Sequence, residues 1–362
     1  MNKKTKICFV LPSLKAGGAE RVMTYIAQNI DKSKFEPFMV IFGFEKDVVY
    51  NTEGIRIIYL NKTKITQGIF TIINVFKNEK PNIVICSIGH VNSLLALVSP
   101  LFKKIKFIGR EANVGSVRNK MNSKNNTIFS IIHKKSLKVL DVIICQSNDM
   151  LKDIISENNI DTNRLITINN PITKGFTLKD RKKQNSIVKY ITVGALHERK
   201  GHKRLLNLLS KLDHDFRYTI IGNGSKLNEI TEQINKLNLS DKVIHIPYTK
   251  EVPKYLRESD VFLNGSFVEG FPNVMIESCA TGTPVITFAA PGGIDEIIQN
   301  GINGYIVDNE TDFINYLNKN NKTKLFDSKT INLSVTSRYS SEIILSKYEC
   351  LFDNLMNNRP IK

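Results

Sequence analysis

Glu269 and Glu277 stand eight residues apart in the stretch EGFPNVMIE, and their surroundings indicate what two carboxylates at that spacing can do. Ahead of them Val261, Phe262 and Leu263 make a short apolar strand that Gly265 and Ser266 break. Pro272 sits where a helix can begin, since its missing N–H costs nothing at the first helical position. The pattern predicts a helix from about Pro272 to Ala280, stopped by Gly282 and Pro284. Its first turn leaves the amides of Asn273, Val274 and Met275 without intrahelical partners, and with the positive end of the helix dipole they form a seat for phosphate. Glu269 falls on the loop before the helix and Glu277 about one and a half turns into it, so a carboxylate borders the seat on each side. Hydroxyl acceptors at both ends of an anion seat suit a sugar nucleotide. The competing reading is a surface helix with solvated glutamates, which leaves the Gly270, Phe271, Pro272 punctuation without a task.

These residues, followed by the Gly282, Thr283, Pro284 turn and the Pro291, Gly292, Gly293 loop, resemble the Glu-x7-Glu signature of retaining glycosyltransferases of group 1 (family 4-like), of the kind that builds bacterial surface polysaccharides. The resemblance implies an α/β chain with the GT-B fold: two doubly wound Rossmann-like domains facing each other across a donor-binding cleft. It also extends to other loops. After a strand at Tyr190 to Val193 the chain reads GALHERKG, where similar enzymes have Gly-Arg-Leu and then Lys-Gly, the Arg and Lys holding the donor phosphates. Lys200 and Gly201 match, but Ala195 stands where the Arg is expected. Either Arg199 supplies the second cation or the site works with less positive charge. Gly222 and Asn223, with Pro247 and Tyr248, would frame the nucleoside as the family pattern suggests. A dinucleotide fingerprint is disfavoured, because Leu227 occupies the position of its third glycine. Gly17 and Gly18 precede a helix, and similar enzymes use this loop to close over the donor diphosphate or meet the acceptor. His90 in SIGH and Arg110, Glu111 and Asn113 in GREAN follow two strands of the first domain, on loops that in similar enzymes touch the transferred sugar. A lone histidine after a strand is also a common structural residue.

A chain of 362 residues exceeds one ordinary core and suits two domains. Short apolar strands alternate with helices from Lys6 to about Ile172, which implies a parallel, doubly wound sheet with its ligand crevice at the carboxyl ends of the strands. The expected division is 1–176 (acceptor side), 177–338 (nucleotide-sugar side), and 339–362, a helix near Ser341 to Met356 that returns to the first domain as in the family, with a Lys-rich linker at Thr173 to Ser186. The N-terminal apolar run, Ile7 to Leu11, is too short for a signal peptide, and no run approaches a membrane span. A cytoplasmic chain is expected. Five dispersed cysteines read as buried, reduced thiols.

The net charge of +17 is uneven: residues 1–180 carry 27 basic against 14 acidic side chains, and residues 101–140 ten against one. The first half evidently faces something anionic. Ser123 to Leu140 reads either as a helix in a membrane interface or as a domain helix with a solvated basic side. The one-sided charge of 101–140 favours a peripheral position on an anionic inner-membrane surface. Nucleic acid is not expected, because no binding motif is present and aromatics are not interleaved with the bases.

Together these readings predict transfer of a sugar, UDP-linked, to a saccharide or lipid-linked saccharide acceptor with retention of configuration. Lys200, Arg199 and the amides of Asn273 and Val274 would hold the diphosphate, Glu277 the ribose, and Glu269 the donor sugar. No cofactor and no essential metal are expected; Asp213, His214, Asp215 spells a metal-site tripeptide, but in a helix-to-strand turn where solvated carboxylates are ordinary. The alternatives are a sugar-nucleotide epimerase and a non-catalytic anionic-membrane-binding module.

Overall fold

A computed structural model describes residues 3–112, 133–180, 187–322 and 326–361. The chain divides into two compact units, Met1–Pro171 with Ser341–Lys362, and Ile172–Ser340.

The first unit is built on seven parallel strands in the order β3-β2-β1-β4-β5-β6-β7. These are β1 (Thr5–Leu11), β2 (Phe35–Ile41), β3 (Arg56–Tyr59), β4 (Ile83–Ser87), β5 (Lys106–Arg110), β6 (Val142–Cys145) and β7 (Leu165–Thr167). Ile7 to Leu11 of β1 are wholly buried, the unbroken apolar run that a parallel strand covered on both faces requires. Helices α1 (Gly18–Asn29), α2 (Ile69–Glu79), α3 (Gly89–Val98) and α4 (Asn148–Asn158) join the strands. The last helix of the chain, Ser341–Met356, here α12, completes the core: its Ile344, Tyr348, Leu351 and Phe352 pack with Ile7, Phe9 and Leu11 and with Val22, Met23 and Ile26 of α1.

The second unit has six parallel strands in the order β10-β9-β8-β11-β12-β13. They are β8 (Val188–Val193), β9 (Phe216–Ile221), β10 (Val243–Ile246), β11 (Val261–Asn264), β12 (Val285–Phe288) and β13 (Gly304–Val307). Around them lie α5 (His202–Leu209), α6 (Leu227–Lys236), α7 (Val252–Glu258), α8 (Asn273–Ala280), α9 (Ile294–Ile297), α10 (Glu310–Lys322) and α11 (Ser328–Tyr339). Each sheet reverses its winding once, between β1 and β4 and between β8 and β11. Ligands of open α/β sheets bind at such reversals, outside the carboxyl ends of the strands.

Two local expectations are corrected. The helix expected from about Pro272 to Ala280 forms over Asn273–Ala280, but Pro272 is its N-cap, at φ −76° and ψ 93°, not its first helical residue. The amide of Met275 is not open, because it donates to the Pro272 carbonyl (3.0 Å) in a tight first turn. The apolar face expected over Ser123 to Leu140 lies outside the described residues up to 132. At its described end Leu137 and Leu140 are in the core, not turned outward as a membrane face would require.

Candidate functional site

The two loops flanking the reversal of the second sheet follow β8 and β11, and they bring Lys200 and Glu269 together. The Lys200 ammonium donates to both carboxylate oxygens of Glu269, at 2.6 and 2.8 Å. Their side chains are 19% and 7% exposed, so the pair is largely withdrawn from water while one side of the lysine still meets it. The Ser266 hydroxyl donates to Glu269 Oε1 at 2.5 Å, a charge-assisted bond that fixes the carboxylate plane.

The main chain explains this convergence. Gly201 sits at φ +62°, and a Cβ there would lie 1.9 Å from the Gly265 carbonyl oxygen. The loops after β8 and β11 therefore meet backbone to backbone, and the Phe267 N–H donates to the Arg199 carbonyl (2.8 Å). On the far side Glu269 N–H donates to the Pro291 carbonyl (2.9 Å). Gly292, at φ +118°, passes so close that a Cβ would lie 2.1 Å from the Glu269 oxygen. Glu269 is thus held from three loops.

Glu277 faces inward on α8 and is 2% exposed. Both glutamates are buried, which removes the solvated-helix reading; an ionised carboxylate is not withdrawn from water without partners. Asn273 and Val274 open α8 half-buried, next to the loop that carries Glu269. Phe271 is not a lining residue: it is 5% exposed and packs edge-on against Tyr339 of α11, with ring centroids 5.2 Å apart. It anchors the loop between Gly270 and Pro272 from below. Gly222 takes φ +149° because its Cβ position is filled by the Gly194 carbonyl, 1.9 Å away. Asn223 contributes its carbonyl to the Leu196 N–H (3.0 Å), so the β8 and β9 loops are also joined. Pro247 and Tyr248 follow β10 at the same sheet edge, with Tyr248 57% exposed. Asp213 and Asp215 are solvated at 77% and 80% exposure. Among the described residues no group of three or more His, Cys, Asp or Glu could hold a metal ion. Burial pushes the Cys145 thiol up to about 12 and raises those of Cys8, Cys86 and Cys279 as well, so these cysteines stay protonated and inert.

In the first unit, Gly17 and Gly18 at the start of α1 and His90 at the start of α3 flank the reversal between β1 and β4. The Gly17 amide is engaged, donating to the Tyr50 hydroxyl, which in turn donates to the Gly17 carbonyl (2.7 Å). His90 is exposed. Arg110, expected on a crevice loop, is instead fully buried at the end of β5. Its guanidinium donates to Ser87 Oγ (2.6 Å), the Tyr348 hydroxyl (3.1 Å) and Asn170 Oδ1. It ties α12 to the sheet, a structural role that the charge of the residue disguised. Glu111, 9% exposed, accepts from Asn92 Nδ2 (2.6 Å) and faces His133 Nε2 (3.2 Å), while His133 Nδ1 lies 3.3 Å from Ser93 Oγ. Asn113 lies outside the described residues. His133, Ser266 and Arg204 were not singled out from sequence; only the closeness of Ser266 to Glu269 offered a local signal.

Comparison with known proteins fits this geometry. Residues 176–327 match the family model described as glycosyl transferases group 1. An uncharacterized glycosyltransferase of Haemophilus influenzae is 25% identical over 306 residues, covering 82% of this chain and 84% of that protein. The N-acetylgalactosamine-N,N'-diacetylbacillosaminyl-diphospho-undecaprenol 4-alpha-N-acetylgalactosaminyltransferase of Campylobacter jejuni is 26% identical over 348 residues, covering 90% and 91%. The structure of Anabaena HepE in complex with UDP-glucose superposes with a TM-score of 0.82 at 15% identity, covering 97% and 99% of the two chains. With two Rossmann-like sheets and a superposition over nearly its whole length, the chain has the GT-B fold, and within its second unit residues 176–327 match the glycosyl transferases group 1 model.

Proposed function

We propose that the chain transfers a sugar from a UDP-sugar to a saccharide or lipid-linked saccharide acceptor, with retention of configuration, in assembly of a polysaccharide or related glycan. The observation that carries this reading is the buried Lys200–Glu269 pair at the reversal of the second sheet, next to the amino end of α8. A departing nucleoside diphosphate gains negative charge. The Lys200 ammonium and the first amides of α8 are fixed dipoles and charge that meet it without reorganising, and one such donor is worth about 3 kcal/mol of barrier. Glu269 holds the ammonium in place and offers its remaining acceptor capacity to hydroxyls of the donor sugar. Glu277 takes the ribose hydroxyls and Arg199 supplies the second cation. Same-face attack, in which a donor phosphate oxygen takes the acceptor proton, gives retention without a metal or a covalent intermediate.

The UDP assignment is supported by the UDP-glucose in the HepE structure, and the lipid-linked acceptor by the diphospho-undecaprenol in the name of the Campylobacter relative. No helix among the described residues is long and apolar enough to cross a membrane. A peripheral position on an anionic surface is supported by Phe70, Leu97 and Leu101 of the first unit, which are 82%, 69% and 65% exposed, with Lys77, Lys103 and Lys104 exposed near them in the chain. Sedimentation with phosphatidylglycerol vesicles should fall as salt rises, and salt-independent or absent sedimentation would refute it.

A thermal-shift screen of UDP-, GDP- and ADP-sugars tests the donor. A ligand at 100 times its Kd stabilises the folded state by about 2.7 kcal/mol, and UDP-sugars should give the largest shift. Equal, negligible shifts for all three classes would refute the assignment.

A further inference from the structure

Lys200 and Glu269 are held in register by a third side chain that touches neither. Arg204, on the first turn of α5, reaches across to the loop after β11. Its Nε donates to the Gly265 carbonyl and its Nη2 to the Ser266 carbonyl, both at 2.6 Å. The guanidinium plane is sandwiched between two rings, 4.0 Å from the centroid of Phe267 and 3.9 Å from that of Phe288. Burial lowers its pKa to about 10, so it stays charged at neutral pH. A half-buried cation that spends its donors on two neutral carbonyls gives up part of its hydration, an expensive way to brace a surface loop. What it braces accounts for the expense.

The two carbonyls belong to the residues that open the Glu269 turn. Ser266 sends its hydroxyl to Glu269 Oε1 (2.5 Å) and also lies 2.9 Å from Asn264 Oδ1, so one proton faces two acceptors. Rotating the Ser266 peptide would turn that proton toward Asn264 and release the carboxylate. The loops themselves leave no slack: a Cβ on Gly265 would lie 2.6 Å from the Gly201 carbonyl oxygen and 2.9 Å from Leu205. Arg204 therefore fixes the orientation of the peptide from which Ser266 aims at Glu269.

We propose that Arg204 is a positioning residue for sugar transfer, acting on Glu269 through the 265–266 main chain and the Ser266 hydroxyl. The inference rests on the donor reading given above. Arg204 has no part in holding the nucleotide, so its loss lowers turnover and spares nucleotide affinity.

The test compares wild type, Arg204→Gln, Arg204→Lys, Glu269→Gln and the Arg204→Gln/Glu269→Gln double variant. UDP affinity is measured by calorimetry, and turnover as UDP release from UDP-glucose, UDP-N-acetylglucosamine and UDP-N-acetylgalactosamine supplied singly. Arg204→Gln should lower kcat at least tenfold while Kd for UDP stays within about threefold. Arg204→Lys, which keeps the charge and guards against a folding defect, should recover little, because an ammonium lacks the planar fork that reaches both carbonyls in fixed directions and cannot stack flat against Phe267 and Phe288. In the Glu269→Gln background, removing Arg204 should cost less than threefold more, since residues acting as a unit are not additive. Wild-type turnover in Arg204→Gln, a parallel loss of UDP affinity, or additive losses in the double variant would overturn the inference alone. A wild-type chain that neither binds UDP nor releases it from any of the three donors would overturn the donor reading and this inference with it.

Discussion

Replacing Lys200 by Met should unfold the protein more readily as well as silence it, and the size of the effect follows from the burial of its partner. The Glu269 side chain is 7% exposed and receives three short hydrogen bonds, two of them from Lys200. Without the ammonium, the carboxylate keeps one hydroxyl donor and little water. Removing one partner of a buried ion pair costs about 3–5 kcal/mol. Glu269→Gln is milder, about 1 kcal/mol, because Lys200 is 19% exposed and its ammonium can turn to solvent. The Lys200→Met/Glu269→Gln double variant leaves no buried charge, so it should recover about 2 kcal/mol or more relative to Lys200→Met. Urea unfolding without nucleotide, followed by circular dichroism, reads these differences. For a unit of this size Lys200→Met should lower Tm by roughly 6–20 °C. The reasoning is refuted if Lys200→Met is within about 1 kcal/mol of wild type, or if the double variant is less stable than Lys200→Met. Loss of transfer in Lys200→Met is thus interpretable only beside its unfolding curve.

His202, 2% exposed, donates from Nε2 to the Ala195 carbonyl (3.3 Å), and burial pushes its pKa down to about 4. The unfolded chain, titrating near 6.5, binds more protons than the folded one between these values, so this stability is complete above pH 6.5 and about 3 kcal/mol is lost as pH falls to 4. Stability measured against pH should lose that slope in His202→Leu; an unchanged slope would assign it to other groups. Arg110→Met removes three hydrogen bonds from a fully buried site and should cost about 3 kcal/mol or more in denaturant, yet leave Kd for UDP within about twofold. A large fall in UDP affinity would show that Arg110 serves the site rather than the fold. Gly201→Ala must place a methyl 1.9 Å from the Gly265 oxygen at φ +62°, so it should cost about 2 kcal/mol or more and weaken UDP binding. Wild-type stability would mean that the β8 and β11 loops can part freely.

Much of the architecture was legible because parallel strands buried on both faces announce themselves as short apolar runs. The strands expected at Tyr190 to Val193 and Val261 to Leu263 and the helix near Ser341 to Met356 form where the pattern puts them. The glutamate spacing and the Lys200–Gly201 pair were legible through local punctuation. What stayed hidden depends on contacts across the chain. Lys200 meets Glu269 from 69 residues away, and Arg110 meets Tyr348 from 238 away. No periodicity records such pairings, so a buried arginine after a strand looked like one aimed at a ligand. Phe271 misled in the same way: its neighbours in sequence are the site's own residues, while its neighbour in space is Tyr339. The partnership of Glu111 with His133 likewise depends on two segments that only the sheet brings side by side.

The second unit is inserted into the first, and the entering and leaving strands of chain are tied at one point: the Ile172 N–H donates to the Tyr339 carbonyl (2.8 Å). During synthesis the whole inserted unit emerges before α12. Its sheet can therefore close while the earlier one still lacks Ile344, Tyr348, Leu351 and Phe352, and exposes the apolar side chains those residues will cover. A chain ending at Ser340 and held on a stalled ribosome by an added linker long enough to span the exit tunnel should display a protease-resistant second half joined to a cleavable first half, the reverse of the order in which the two were begun.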